Sequence, residues 1–168
     1  MTDVPQTDHA ATTTPSTGLA AKVLTVSDGV VAGTREDRSG VVLVERLSAA
    51  GFDVVEHRVV IDGLQSVGET IVELADGFTG VLVTTGGTGF GPRDQTPEGT
   101  RMVLDREAPG LAEAMRAVNP LGRLSRAVAG TRGTTLIINV PGSPGGAVEC
   151  LEAVLDVLPH AVRLLAGG

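Results

Sequence analysis

Apolar residues along this chain gather in short continuous runs that are separated by stretches with a helical period. The four runs richest in valine, leucine and isoleucine cover residues 19–28, 52–61, 80–85 and 134–140. Runs of this length and composition are typical of strands that are buried on both faces, as in a parallel sheet. The pattern therefore predicts four buried strands.

Helical signals follow the first two of these runs. Residues 29–38 predict a loop, after which Ser39 has the character of an N-cap and Gly51 stands where a helix is expected to end. Ser66 and Glu69 then have the spacing of a capping box. Behind that box, one helical stripe is formed by Val67, Ile71, Leu74 and Ala75.

The second half of the chain shows the same alternation. Thr96-Pro97 fits an N-cap followed by proline at the first helical position, and predicts a helix that runs to about residue 107. A further helix is expected over roughly 110–118, and residues 119–133 predict helix in part. A long helix is expected from residue 147 onward, because its apolar residues again recur at helical spacing.

Alternating strands and helices predict right-handed β-α-β crossovers. The expected fold class is α/β, a three-layer α/β/α sandwich with a mostly parallel sheet. Residues 1–18 are rich in threonine, proline and alanine and show no apolar period, which predicts a disordered tail. Residues 19–168 are expected to form a single domain.

Composition narrows the classes of function. Hydrophobic residues make up 42% of the chain but aromatic residues only 2%, so the core must be aliphatic. The net charge of −7 argues against binding to a nucleic acid, because such proteins present a basic surface to the phosphate backbone. The shortage of aromatic side chains also leaves no platform for stacking bases. We therefore expect no nucleic-acid partner.

Cysteine and histidine usage excludes two further kinds of site. The single cysteine, Cys150, cannot form an internal disulfide framework or a cysteine-based zinc cluster. The three histidines are scattered without metal-ligand spacing. No run approaches the roughly 18 apolar residues of a membrane span, and the first residues do not resemble a signal peptide. We therefore expect a cytoplasmic protein with no membrane partner.

Four loops follow the predicted strands and would meet at one edge of a parallel sheet, where ligands bind in open α/β folds. Two of them pass from a strand through glycines into a helix start, a geometry that lets backbone N–H groups converge on a phosphate. Either glycine loop could instead be only a tight turn. The four loops are Ser27-Asp28, Asp62-Gly63, Gly86 to Asp94 and Pro141 to Gly146.

Two acids in these loops change the interpretation. Asp62 and Asp94 would repel a phosphate unless a divalent cation lay between them, and Mg²⁺ takes one or two carboxylates together with phosphate oxygens. The alternative for Asp94 is stabilisation of the next helix start, and for Asp62 an Asx turn before Gly63. Arg93 is either a surface residue or a guanidinium that neutralises phosphate charge.

Three motifs taken together carry a family resemblance. TVSDG, TTGGTGFGPRDQTPE and NVPGSPGG occur in that order, and with them residues 20–166 resemble the molybdenum cofactor biosynthesis proteins of the molybdopterin adenylyltransferase type, a domain also found in gephyrin. The resemblance implies a molybdopterin-binding α/β domain that assembles as a trimer or hexamer. It further implies a reaction in which ATP and molybdopterin give adenylylated molybdopterin and pyrophosphate with Mg²⁺.

The resemblance also implies roles for individual residues. The family's two functional aspartates match Asp62 and Asp94, which would be catalytic and would hold Mg²⁺. Arg93 lies beside the glycine loop and is a candidate phosphate ligand. The matching substrate-binding and nucleotide-binding residues are Ser27, Asp28, Gly86, Gly87, Thr88, Gly89, Pro141, Gly142, Ser143 and Pro144.

One departure from the family pattern keeps a second hypothesis open. Gly63 follows Asp62 where many relatives carry another acid, which would weaken the affinity for a metal. The chain could therefore be a non-catalytic molybdopterin-binding or scaffold protein of the same pathway. A remoter alternative is an unrelated binder of a phosphate ligand. For the enzyme, the downstream molybdate-inserting enzyme is a candidate partner.

Overall fold

A computed structural model describes residues 18–168, and within them one six-stranded sheet forms the centre of the molecule. The strand order is β2-β1-β3-β6-β5-β4; the first four of these are parallel, and β5 and β4 are added antiparallel at one edge. The predicted tail over residues 1–18 lies, apart from Gly18, outside the described residues. The strands are β1 (Ala20–Val26), β2 (Asp53–Val60), β3 (Gly80–Thr85), β4 (Arg106–Glu107), β5 (Ala129–Arg132) and β6 (Thr135–Val140).

Helices cover both faces of this sheet. Within residues 18–168 none is long and apolar enough to cross a membrane. A short 3₁₀ helix forms at Pro120–Leu124. The α-helices are α1 (Asp28–Val31), α2 (Arg38–Ala49), α3 (Leu64–Ala75), α4 (Thr96–Val103), α5 (Pro109–Ala117), α6 (Pro144–Val154) and α7 (Leu158–Leu165).

The core has two apolar clusters, one on each face of the sheet. Successive residues of a strand point to opposite faces, so Val23 belongs to one cluster and Leu24 to the other. The larger cluster packs α2, α5, α6 and α7 against the sheet, and the smaller one packs α3. Both are almost entirely aliphatic. The predicted α/β/α sandwich with a mostly parallel sheet is confirmed.

The edge of the sheet differs from the prediction. α4 ends at Val103 instead of near residue 107, and Arg106–Glu107 forms β4, whose first residue pairs with Thr131 of β5. Residues 119–133 were expected to be helical in part, and the only helix among them is the short 3₁₀ helix. The last part of this segment forms the strand β5. The chain turns from β5 into β6 at Gly133, whose φ of +54° is a conformation that glycine adopts without steric cost.

The helix starts are also displaced from the expected residues. Asp37, and not Ser39, caps α2, because its Oδ1 accepts a hydrogen bond of 2.9 Å from the amide of Gly40. α3 begins after Gly63 and α4 after Gln95, so neither Ser66 nor Thr96 is an N-cap. The predicted loop over residues 29–38 begins within α1, a single helical turn capped by Ser27. For α2, α3 and α4 the type of element was predicted correctly and its start was wrong by one to three residues, whereas α1 was not predicted.

One buried asparagine connects three elements near the carboxyl edge of the sheet. Asn139 of β6 is fully buried, and its Nδ2 donates to the hydroxyls of Thr84 in β3 at 2.8 Å and of Thr100 in α4 at 3.1 Å. Its Oδ1 accepts from the amide of Val128, just before β5, at 3.1 Å. Buried polar groups of this kind are costly unless every one is paired. Asn139 therefore fixes the position of the chain that leads into β5.

The Asn139→Ala variant should lower the free energy of unfolding by at least about 1–3 kcal/mol, because it leaves the buried amide of Val128 without an acceptor. Urea denaturation measures this change. Asn119→Ala is the matched control, since Asn119 accepts from the amide of Leu121 at an exposed site where water can replace it. Equal losses for the two variants would contradict the role given to Asn139.

Candidate active site

The loops predicted to bind ligands line a cavity of about 770 Å³ at the carboxyl edge of the sheet. They converge there because β1, β2, β3 and β6 are parallel and all end at this edge. The predicted residues that line the cavity are Ser27, Asp62, Gly86, Gly87, Asp94, Gly142, Ser143 and Pro144.

A second cavity of about 370 Å³ borders the same loop that follows β6. Ser143 lines both cavities. Three predicted residues, Thr88, Gly89 and Pro141, line only this second cavity. Asp28 and Arg93 line neither of the two, and contact each other instead.

The main chain after β3 is packed so tightly against its neighbours that side chains larger than that of glycine would not fit. Gly86 has a φ of +100°, and a Cβ there would lie 2.2 Å from the carbonyl oxygen of Val26. Gly87 has a φ of +68°, and a Cβ there would lie 2.2 Å from Oγ1 of Thr96 and 3.2 Å from Oδ1 of Asp62. Both positions thus require glycine for conformation and for space.

The backbone amides of this loop differ in their availability. The amide of Gly86 donates to the carbonyl of Val140 at 3.2 Å and so continues the sheet. The amides of Gly87, Thr88 and Gly89 have no acceptor among residues 18–168. These three amides are therefore available to an anion, whereas the amide of Gly86 is used by the fold.

Asp62 and Asp28 hold the ends of β2 and β1 together by reciprocal hydrogen bonds. The amide of Asp28 donates to Oδ2 of Asp62 at 3.0 Å, and the amide of Asp62 donates to Oδ1 of Asp28 at 3.1 Å. Arg93 donates from Nε to Oδ2 of Asp28 at 2.5 Å and from Nη2 to the Asp62 carbonyl at 2.8 Å. The guanidinium therefore neutralises Asp28 in this structure, and its bonds hold the pKa of that carboxyl below the ordinary value.

Each of the two aspartates expected to hold a metal keeps one oxygen without a protein donor. Asp62 uses Oδ2 for the amide of Asp28, and Asp94 uses Oδ2 for the amide of Gly91 at 2.9 Å. Neither Oδ1 accepts a hydrogen bond from any residue in the described part of the chain. Burial raises the pKa of Asp62, and the neighbouring charges of Asp28 and Asp94 raise it further. A cation bound at these two carboxylates would therefore stabilise their charged forms.

The residues present fit a cation that is shared with a substrate, and not one that the protein holds alone. Residues 18–168 contain no group of three or more histidine, cysteine or acidic side chains that could hold a metal ion. Mg²⁺ is commonly bound by one or two carboxylates and by phosphate oxygens. Asp62 and Asp94 can supply the two carboxylates, and Gly63 supplies none.

Part of the cavity wall comes from residues that the sequence did not single out. Residues 34–39, which lead from α1 into the start of α2, line the cavity, and Arg35 among them has no ion-pair partner in the described part of the chain. Thr96 was expected only as an N-cap and not as a residue near the site. Its buried Oγ1 has no hydrogen-bond partner within residues 18–168 and faces Gly87. The run of charged residues before α2 was the one sequence signal that could have indicated this wall.

Comparisons with known proteins agree on one family. A protein-family model described as a probable molybdopterin binding domain matches residues 22–160 of this chain. The chain is 39% identical over 152 residues to a molybdopterin adenylyltransferase of Helicobacter pylori strain J99, covering 86% of each chain. It is 36% identical over 169 residues to the molybdopterin adenylyltransferase of Escherichia coli K12, covering 89% of this chain and 86% of the relative.

A solved structure supports the same grouping. The fold is similar to that of the molybdopterin biosynthesis enzyme MoaB of Thermus thermophilus, with a TM-score of 0.84 and 47% identity. That match covers 89% of this chain and 98% of the other. The similarity thus extends over nearly all of the residues that build the sheet, its helices and the cavity.

The Gly87→Ala variant should destabilise the fold more than Gly133→Ala. Both glycines have positive φ, which costs an alanine about 1–2 kcal/mol. Only at Gly87 would the methyl group also meet other atoms, which typically adds about 1–3 kcal/mol, whereas nothing lies within 4 Å of a Cβ at Gly133. Chemical denaturation compares the two, and equal free energies of unfolding would contradict the close approach at Gly87.

The Asp62→Asn variant should be at least as stable as the unaltered protein at pH 7 without ligand. Because burial raises the pKa of Asp62 above its ordinary 3.8, ionisation costs stability as pH rises through the interval between the two values. An asparagine can still accept from the Asp28 amide and carries no charge. The stability difference between the two proteins should shrink as pH falls toward 3.8, as thermal unfolding at several pH values would show. An asparagine variant that is less stable at every pH would contradict this account.

Proposed function

The chain belongs to the family of probable molybdopterin binding domains, and on that premise we propose that it is a molybdopterin adenylyltransferase. Its reaction joins ATP to molybdopterin, with release of pyrophosphate. The observation that carries the proposal is the identity of 36–39% to proteins of that name over 86–89% of the chain. The cavity geometry is consistent with it, because the cavity that both aspartates line and the cavity that Thr88 and Gly89 line adjoin at Ser143.

The reaction requires two anions to approach each other. A terminal phosphate oxygen of molybdopterin forms a bond to the α-phosphorus of ATP, the bond from that phosphorus to the bridging oxygen breaks, and pyrophosphate leaves. Catalysis of this kind depends mainly on positioning and on stabilising negative charge. The amides of Gly87, Thr88 and Gly89, which have no acceptor among the described residues, are main-chain donors that could stabilise such charge.

Asp62 and Asp94 are the residues that would hold Mg²⁺ with the triphosphate. When bound, the cation would neutralise part of the triphosphate charge and stabilise the departing pyrophosphate. Both carboxylates are kept in place by backbone amides on Oδ2, so their free Oδ1 atoms are positioned before any ligand arrives. Arg93 is engaged with Asp28, and in this proposal it supports the loop ends until a phosphate offers it a further acceptor.

Two adjacent cavities suit a reaction between two substrates. The larger cavity is lined by both aspartates, and the smaller one has a more apolar wall to which Leu121 and Leu124 contribute. Ser143 borders both, and its hydroxyl makes no hydrogen bond within the described part of the chain. ATP and molybdopterin are thus proposed to meet across the loops that follow β3 and β6.

The proposal also includes the wider setting expected from the resemblance. It comprises a homo-oligomer, as a trimer or hexamer, a cytoplasmic location, and transfer of the product to the downstream molybdate-inserting enzyme.

The competing function is that of a non-catalytic molybdopterin-binding or scaffold protein. It is favoured by Gly63, which leaves the site with two carboxylates where many relatives were expected to have a third acid. In that case the protein would bind molybdopterin without consuming ATP. The two functions therefore differ in whether pyrophosphate is produced.

Pyrophosphate release from ATP, Mg²⁺ and molybdopterin tests the proposal directly. The unaltered protein should turn over, and Asp94→Ala should reduce turnover at least about 100-fold while leaving the fold and much of the molybdopterin binding intact. Asp156→Ala, an exposed acid in the turn between α6 and α7, is the control and should behave as the unaltered protein.

The outcomes separate the two functions. Saturable binding of molybdopterin without pyrophosphate release by the folded protein would establish the binding function instead. Unchanged turnover in Asp94→Ala would remove Asp94 from the metal site.

A further inference from the structure

Arg126, in the segment that leads into β5, contacts both ends of the glycine loop. Its Nε donates to the carbonyl of Gly89 at 2.9 Å, and its Nη2 donates to the carbonyl of Asp94 at 2.6 Å. Its backbone amide donates to the carbonyl of Thr88 at 3.1 Å. Its Nη1 forms an ion pair with Glu98 in the first turn of α4. One residue thus binds four acceptors within residues 88–98.

The glycine loop has few bonds of its own. Residues 86–95 belong to no helix or strand, apart from the N-cap position of α4. Its internal hydrogen bonds are two, from the Asp94 amide to the Gly91 carbonyl and from the Gly91 amide to Oδ2 of Asp94, and a third bond joins the amide of Thr96 in α4 to the Gly87 carbonyl. A loop with so few internal bonds takes its shape from the structure that surrounds it.

Arg126 is itself held firmly. The residues that follow it, Ala127 and Val128, are buried, and Val128 is bonded on both sides to Asn139 of β6. Burial alone would raise the pKa of Glu98, but the bond from Arg126 brings it below its ordinary value. Glu98 is therefore a charged partner that keeps the guanidinium in this orientation.

Arg126 lines neither of the two cavities described above. Its effect on a ligand must therefore pass through the loop, and in particular through Asp94, which does line the larger cavity. We propose that Arg126 is a positioning residue that holds the glycine loop and Asp94 in the geometry needed for the adenylyl transfer, an inference that rests on the proposed function. No ligand contact of Arg126 itself is required.

Lysine cannot replace arginine in this arrangement. The planar guanidinium presents donors in several fixed directions, and here three of its nitrogens reach three different acceptors. A lysine ammonium keeps the charge but is a single point on a flexible stem. Arg126→Lys therefore preserves the ion pair with Glu98 while losing at least one carbonyl contact.

Arg132→Lys is the matched control. Arg132 also belongs to this edge of the sheet, in β5, and its Nη1 donates to one backbone carbonyl, that of Val103, at 2.8 Å. That carbonyl lies at the end of α4 and outside the glycine loop. The two substitutions are chemically identical and differ in whether the glycine loop loses a bond.

Hydrogen–deuterium exchange on the ligand-free protein tests the structural half of the proposal. The hydrogen-bonded amides of Gly91, Asp94 and Thr96 should exchange at least about 10-fold faster in Arg126→Lys than in the unaltered protein or in Arg132→Lys. If Arg126→Lys does not fold, Glu98→Gln takes its place, since it removes the ion pair and keeps the other bonds of Arg126; it should also accelerate exchange at these amides. Unchanged exchange in the folded variant would overturn the proposal.

Kinetics test the functional half. In Arg126→Lys the kcat for pyrophosphate release should fall on the order of 10- to 100-fold, and more Mg²⁺ should be needed for half-maximal rate. The KM for molybdopterin should change less, and Arg132→Lys should match the unaltered protein. A kcat and Mg²⁺ dependence equal to the control would overturn the positioning role. If the unaltered protein releases no pyrophosphate, the proposed function fails, and the exchange measurement still decides whether Arg126 holds the loop.

Discussion

The close approach of three backbone segments at the carboxyl edge of the sheet is the constraint on which the site depends. The Cα of Gly86 packs so near to the end of β1 that a Cβ would lie 2.2 Å from the Val26 carbonyl. From the other side, a Cβ at Gly142 would lie 3.3 Å from that same Cα. Because these contacts are between backbone atoms, the loops after β1, β3 and β6 pack directly against one another and cannot shift independently.

The polar groups around this contact suit the binding of a ligand better than they stabilise the unliganded protein. Asp62 is ionisable and partly buried beside other carboxylates, and Thr96 has a buried hydroxyl without a partner in residues 18–168. The amides of Gly87, Thr88 and Gly89 have no acceptor among the described residues either. Such unsatisfied groups cost free energy in an unliganded protein and are concentrated at functional sites. A phosphate with its counterion would satisfy both the donors and the acids.

The sequence was sufficient for the parallel part of the fold, because buried parallel strands are continuous apolar runs and their ends must meet at one edge. It was insufficient for β4 and β5, which are two and four residues long and carry charged residues such as Arg106 and Arg132. The positions of Asp62 and Asp94 followed from strand ends and from the family resemblance. The pairing of Arg93 with Asp28 did not, because residues 65 positions apart meet only through the packing of the whole sheet.

The central claim is that the main chain after β3, with Asp62 and Asp94 beside it, binds the triphosphate of ATP. A crystal structure of the protein with Mg²⁺ and an ATP analogue that cannot be cleaved between the α- and β-phosphorus tests it most directly. The account predicts phosphate oxygens on the amides of Gly87 to Gly89, and one cation in contact with Oδ1 of Asp62 and of Asp94. A nucleotide bound elsewhere, with these amides and carboxylates in contact with water alone, would contradict it.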